Sequence, residues 1–135
     1  MLNLLSNLRI SVPESIYIKD PESSDLGKRI IEHSILLIDE IGFDHFTFKK
    51  LGAKIGSNES SIYRYFESKH KLLLYITSWY WAWLEYHLVF ATHNVSDAKE
   101  KLFKAIEIVT QTIEQDMSYA HINEVALSRI VVNEY

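Results

Sequence analysis

The sequence predicts an all-α protein, a three-helix head followed by a partial helical body. Three observations carry this. Apolar residues recur three and four apart, the spacing that gathers them on one helix face. Capping residues stand just before most of these runs, at Ser23 or Ser24, Thr47, Asn58, Ser68 and Ser96. The run Leu72 to Ala91 is long, apolar and free of proline and glycine. The pattern divides the chain into an arm over residues 1–24, a head over 25–70 and a helical body over 71–135.

In the arm, Pro13 and Pro21 block helix, while Arg9 to Val12 and Ile16 to Lys19 point to extended backbone. Such an arm packs on the body or is partly mobile, and with only Arg9 and Lys19 it is a weaker candidate for a DNA groove. Ser23 or Ser24 caps a first long helix, with Asp25 near its positive end. Its stripe is Ile30, Ile31, Ser34, Ile35, Ile38 and Ile41, and Gly42 stops it.

The most informative stretch is Thr47 to Lys69, TFKKLGAKIGSNESSIYRYFESK. Phe48, Leu51 and Ile55 share one face of a short helix capped by Thr47. Gly56 stands where the chain must turn, in the left-handed backbone that glycine adopts freely. Ile62 and Phe66 then face inward on a second short helix over Asn58 to Phe66. Gly52 costs about 1 kcal/mol relative to alanine inside a helix, which makes sense if the second helix crosses close against it. Two short helices crossing in this way form a helix-turn-helix, whose second helix fits a DNA major groove.

Gly42, Phe46-Thr47, Leu51-Gly52, Gly56, the string Ser61 to Lys69, and Leu72-Leu73 together resemble the DNA-binding domain of the tetracycline-repressor (TetR) family over about residues 26–75. The resemblance implies a transcriptional regulator, usually a homodimeric repressor released from its double-stranded DNA operator by a small-molecule effector. It places Tyr63 and Tyr65 where family aromatics contact phosphates, with a half-core place as the alternative for Tyr65, and Thr47 and Lys69 where the backbone is gripped. It also implies several further helices, including a dimerising pair, beyond those visible in this sequence. Glu59, Ser60, Tyr63 and Arg64 project outward if Ile62 and Phe66 point in. Arg64 suits a guanine edge or a phosphate. Asn58 suits an adenine, although capping competes for it. Ser61 and Lys49 complete the expected DNA-contacting set. Ser60 departs from the family's usual glycine, and Glu59 sets an acid where phosphate approaches; it would instead accept from a cytosine amino group.

The charge is uneven. The 135 residues carry a net charge of −4. From Lys49 to Lys71, six basic residues face only Glu59 and Glu67, whereas residues 76–135 hold four basic and eight acidic ones. A locally positive head on an acidic body fits DNA binding. On charge alone, a solvated face of mixed sign explains as much.

The fourth helix, Lys69 to Ala91 behind a Ser68 cap, is long enough for a bilayer. Glu85 and the scatter of Trp and Tyr through the run argue instead for a core helix. Trp79, Trp83, Tyr86 and His87 are the candidate effector-lining residues, against the plainer reading of core packing. A fifth helix capped by Ser96 places Leu102, Phe103, Ile106, Val109, Thr110 and Ile113 on one face. A break at Asp116 to His121 precedes a sixth helix over Ile122 to Val132.

No cysteine is present, so disulfides and thiolate metal sites are excluded. Histidines 33, 45, 70, 87, 93 and 121 show no paired metal spacing. No nucleophile–base set, phosphate loop or carboxylate pair points to catalysis, and no cofactor is implied. The N-terminus makes a poor signal peptide, which points to the cytoplasm. A competing class is a helical protein-interaction module that uses Trp79 to Phe90, with a vestigial DNA-binding head.

Overall fold

A computed structural model describes residues 10–110 and 120–134. Its helices are α1 (Asp25–Ile41), α2 (Phe48–Ile55), α3 (Glu59–Tyr63), α4 (Lys69–Thr92), α5 (Ala98–Thr110) and α6 (Glu124–Glu134). Short 3-10 turns cover Glu14–Ile16 and Pro21–Ser23, and the described residues contain no strand. None of the described helices is long and apolar enough to cross a membrane.

Local chemistry sets most of the boundaries. Ser24, not Ser23, caps α1: its Oγ accepts from the Gly27 N–H at 3.0 Å, while the Ser23 hydroxyl donates to the Asp20 carbonyl. Gly42 closes α1 by donating its N–H to the Ile38 carbonyl at 2.8 Å. Thr47 Oγ1 accepts from the Lys50 N–H, and Ser68 Oγ from the Lys71 N–H, opening α2 and α4. Gly56 ends α2 in the left-handed region, with φ 69° and ψ 35°. At Gly52 a Cβ would lie 2.5 Å from the Ser57 carbonyl oxygen, so only glycine lets the turn fold back this closely.

Several expected boundaries move. The helix expected over Asn58 to Phe66 stops at Tyr63, because the Tyr65 N–H turns back to the Ile62 carbonyl and tightens the exit. Asp97 takes the capping place expected of Ser96: its carboxylate accepts from the Lys99 N–H and its carbonyl from the Lys101 N–H. The sixth helix starts at Glu124 rather than Ile122, with Asn123 Oδ1 accepting from the Ala126 N–H. Ile122 is a buried anchor ahead of it. Ile113 and most of the break expected over 116–121 lie outside the described residues.

The core gathers Ile30, Ile35 and Ile38 of α1, Leu51 of α2, Ile62 of α3, Phe66, and Leu72 and Ile76 of α4, all nearly inaccessible to solvent. Helix α6 packs on both α1 and α4, burying Leu127 and Ile130. Arg129 forks onto Asp39 of α1 with bonds of 3.0 and 2.8 Å. A helix from the stretch expected as body thus lies against the first helix of the head.

The described part of the arm, residues 10–24, is bound down, and its 3-10 turns at Glu14–Ile16 and Pro21–Ser23 overlap the stretches expected to be extended only at Ile16. Ile10, Val12 and Ile16 are buried. The Tyr17 ring meets Tyr75 of α4 edge-on at 5.9 Å. Glu22 bonds His121, just ahead of α6, at 2.6 Å.

Candidate nucleic-acid interface

Helix α3 is only five residues long, yet its two faces are well separated. Ile62 is 0% exposed and anchors the helix in the core. Glu59, Ser60 and Arg64 are exposed, and Tyr63 is 48% exposed. No hydrogen bond or ion pair joins the Arg64 guanidinium to the other described residues. The outward projection expected of these side chains is therefore present.

Asn58 organises the start of α3. Its Oδ1 accepts from the Ser61 N–H at 2.9 Å, the Ser60 hydroxyl at 2.9 Å and the Ser61 hydroxyl at 2.7 Å. An adenine reader needs both the oxygen and the amide nitrogen of asparagine. With its oxygen occupied three times, Asn58 acts here as a cap. Ser60 and Ser61 spend their protons on Asn58 and keep oxygen lone pairs for an incoming donor.

A shallow recess of about 260 Å³ lies between the starts of α2 and α4 and the exit of α3. Thr47, Phe48, Tyr63, Glu67, Ser68 and Lys69 line it. It brings together three residues that the sequence reading named separately: Thr47, Tyr63 and Lys69. Tyr63 is held there by an edge contact with Phe48 at 4.9 Å. Two helix N-termini open onto this region, an arrangement favourable to an anion such as phosphate. Lys49 is exposed on α2 nearby, while the Lys50 ammonium donates to the His45 carbonyl at 2.8 Å.

Two residues differ from their expected roles. The Lys69 ammonium donates to the carbonyls of Phe43 at 2.9 Å and Phe46 at 3.0 Å, and sits 4.5 Å above the Phe43 ring. It fastens the loop after α1 to the start of α4, so its charge is already partly spent. Tyr65 is buried at 3% exposure, and its hydroxyl meets Ser24 Oγ at 2.6 Å. Of the two tyrosines, only Tyr63 faces outward.

Sequence reasoning missed three supporting groups. Arg29 of α1 donates to the Ile55 carbonyl and ties down the end of α2. Ser24 holds Tyr65 from 41 residues away. The Ile18 N–H donates to the Tyr65 carbonyl at 2.8 Å. Ser24 carried a signal as a helix cap, but nothing local marks its second partner.

Among the described residues, the four candidate effector residues fall into two groups. Trp79 and Trp83 are buried and stacked, with ring centres 6.3 Å apart, and His87 meets Trp83 at 4.5 Å. This is an aromatic column within the packing of α4. Burial of the adjoining Tyr80 pushes its phenol above the usual value, which keeps it neutral. Tyr86 instead lines an open groove of about 360 Å³ with Ser11, Ala82, Glu85 and Val89.

Compared with known families, residues 30–76 match the model described as bacterial regulatory proteins, tetR family. That span runs from the middle of α1 to the first turns of α4 and encloses the whole interface. Searches of curated proteins and of solved structures returned no match.

Proposed function

We propose that this chain, whose residues 30–76 match the model of the tetR family of bacterial regulatory proteins, is a sequence-specific regulator of transcription. In this reading α3 enters the major groove. Ser60, Tyr63 and Arg64 reach base edges or phosphates, with Glu59 available to a cytosine amino group. Thr47, Lys49 and the starts of α2 and α4 hold the backbone. Asn58, Ser61, Tyr65 and Lys69 keep that surface in shape. A homodimer reads two half-sites about one DNA turn apart. A small molecule bound against α4 displaces that helix, shifts the heads and releases the operator, making the protein a ligand-responsive repressor in the cytoplasm.

The observation that carries the reading is the orientation of α3, with Ile62 fully inside and Arg64 and Tyr63 outside. A salt series tests it. Phosphate contacts release counterions, so affinity for duplex DNA should fall steeply as salt rises. Binding that is absent, or indifferent to salt, rejects the reading.

A second reading rests on a different observation. Leu74, Trp81 and Val89 form an exposed apolar stripe along α4, and Trp81 is 56% exposed. That surface favours a helical interaction module whose head no longer reads DNA. The same salt series separates the two, since only the regulator loses affinity in this way.

A further inference from the structure

The described part of the N-terminal arm reaches the exit of α3 at Tyr65, and from two directions. The Ile18 N–H donates to the Tyr65 carbonyl at 2.8 Å, and Ser24 Oγ meets the Tyr65 hydroxyl at 2.6 Å. Lys19 adds its ammonium 5.2 Å from the centre of the same ring. Tyr65 directly follows Arg64 and lies two residues beyond Tyr63. Its own N–H closes the turn that ends α3 by bonding the Ile62 carbonyl at 2.9 Å. Backbone N–H, backbone carbonyl and side-chain hydroxyl of this residue are thus all engaged.

The arm is itself anchored away from α3. A Cβ at Gly27 would lie 2.2 Å from the Pro21 carbonyl oxygen, so the Pro21–Ser23 turn sits directly on the first turn of α1. Tyr17 rests on Tyr75 of α4, and Glu22 bonds His121. A five-residue helix has little cooperative stability of its own and takes its orientation from what holds its ends. Asn58 holds the start of α3. The exit is held by Tyr65, and Tyr65 is held by the arm.

We propose that arm residues Ile18 and Ser24 are positioning residues of the DNA-reading head, acting through Tyr65 to fix the exit of α3 and the direction of Tyr63 and Arg64. This rests on the DNA-binding reading for its consequence, though not for its geometry. Tyr65 then acts behind the interface rather than on DNA. Because the arm also rests on Tyr75, it gives α4 a second mechanical route to the reading helix, separate from the direct chain connection at Ser68.

Two variants isolate the contacts in the full chain. Tyr65→Phe removes only the hydroxyl and leaves Ser24 free to cap α1. Ile18→Pro removes the N–H donor at a position whose side chain is exposed, and fixes φ there; Tyr17, at φ −124° and ψ 158°, already has the extended backbone that a following proline requires. The first readout is amide hydrogen exchange without DNA. Each variant should speed exchange in residues 62–66 about fivefold, the effect of one modest hydrogen bond, with α6 unchanged. The second readout is affinity for a duplex enriched from a random-sequence library by the unmodified chain, set against a scrambled duplex. Affinity for the enriched duplex should fall by roughly the same factor, while affinity for the scrambled one and the salt slope stay as they were. Unchanged exchange in both variants overturns the proposal. Faster exchange with unchanged discrimination between the duplexes also overturns it, because Tyr65 would then be structural only. Should the unmodified chain enrich no sequence, the DNA-binding reading fails, and the exchange result still decides whether the arm holds α3.

Discussion

The head and the outer part of the body treat apolar side chains in opposite ways. In the head, Leu51, Ile62 and Phe66 are fully buried, and the helix ends are closed by Ser24, Thr47, Asn58 and Ser68. In α5 no residue is buried, and Leu102, Phe103, Ile106 and Val109 all face solvent, Phe103 at 69% exposure. Both regions carry the same helical periodicity. What differs is enclosure. The head surrounds each stripe with α1, α2, α3 and the start of α4, whereas α5 packs chiefly on α4 among the described elements. Apolar spacing marks which face of a helix is ready for packing, and burial then depends on how many neighbours arrive.

Substitutions sharpen the contrast, beginning with the largest effect. Leu51→Ala should cost about 2–5 kcal/mol, measured by chemical denaturation, because its site is closed on all sides and a cavity remains. A cost below about 1 kcal/mol would show that the head is packed more loosely than its burial implies. Thr47→Ala should cost about 1 kcal/mol through loss of the α2 cap, and should also weaken DNA binding at the recess it lines. Phe103→Ala should change stability by no more than about 0.5 kcal/mol, since an exposed ring loses little on truncation. A larger loss would mean that something covers α5 in solution, which a solution mass would then identify as a second copy or not.

The same contrast explains what could be read from sequence. The glycine at position 56, the cap at Thr47 and the inward set Phe48, Leu51, Ile55, Ile62 and Phe66 were legible because each depends on neighbours within a few residues. The outward set Ser60, Tyr63 and Arg64 followed from the same spacing. The close approach at Gly52 was legible too, as a glycine with a cost that only a crossing backbone would justify. Contacts distant along the chain were not legible. Nothing in the local pattern links Ser24 to Tyr65, Asp39 to Arg129, or Lys69 to the carbonyls of the loop after α1. Under the proposed reading, those contacts make Tyr65 and Lys69 supports of the interface. Nor does a stripe of Leu102, Phe103, Ile106 and Val109 announce whether a partner covers it. The short length of α3 was hidden as well, because Phe66 keeps its inward place even though the helix has already ended.

The central claim is that α3 is a reading helix held with Ile62 inside and its DNA-facing side chains outside. The most direct measurement is the affinity of Tyr63→Ala and Arg64→Ala chains for an enriched duplex, taken together with their thermal midpoints. Both side chains are exposed, so the midpoints should stay close to that of the unmodified chain, while affinity falls about tenfold or more for the arginine variant. Unchanged affinity in both variants, with both still folded, would contradict the account.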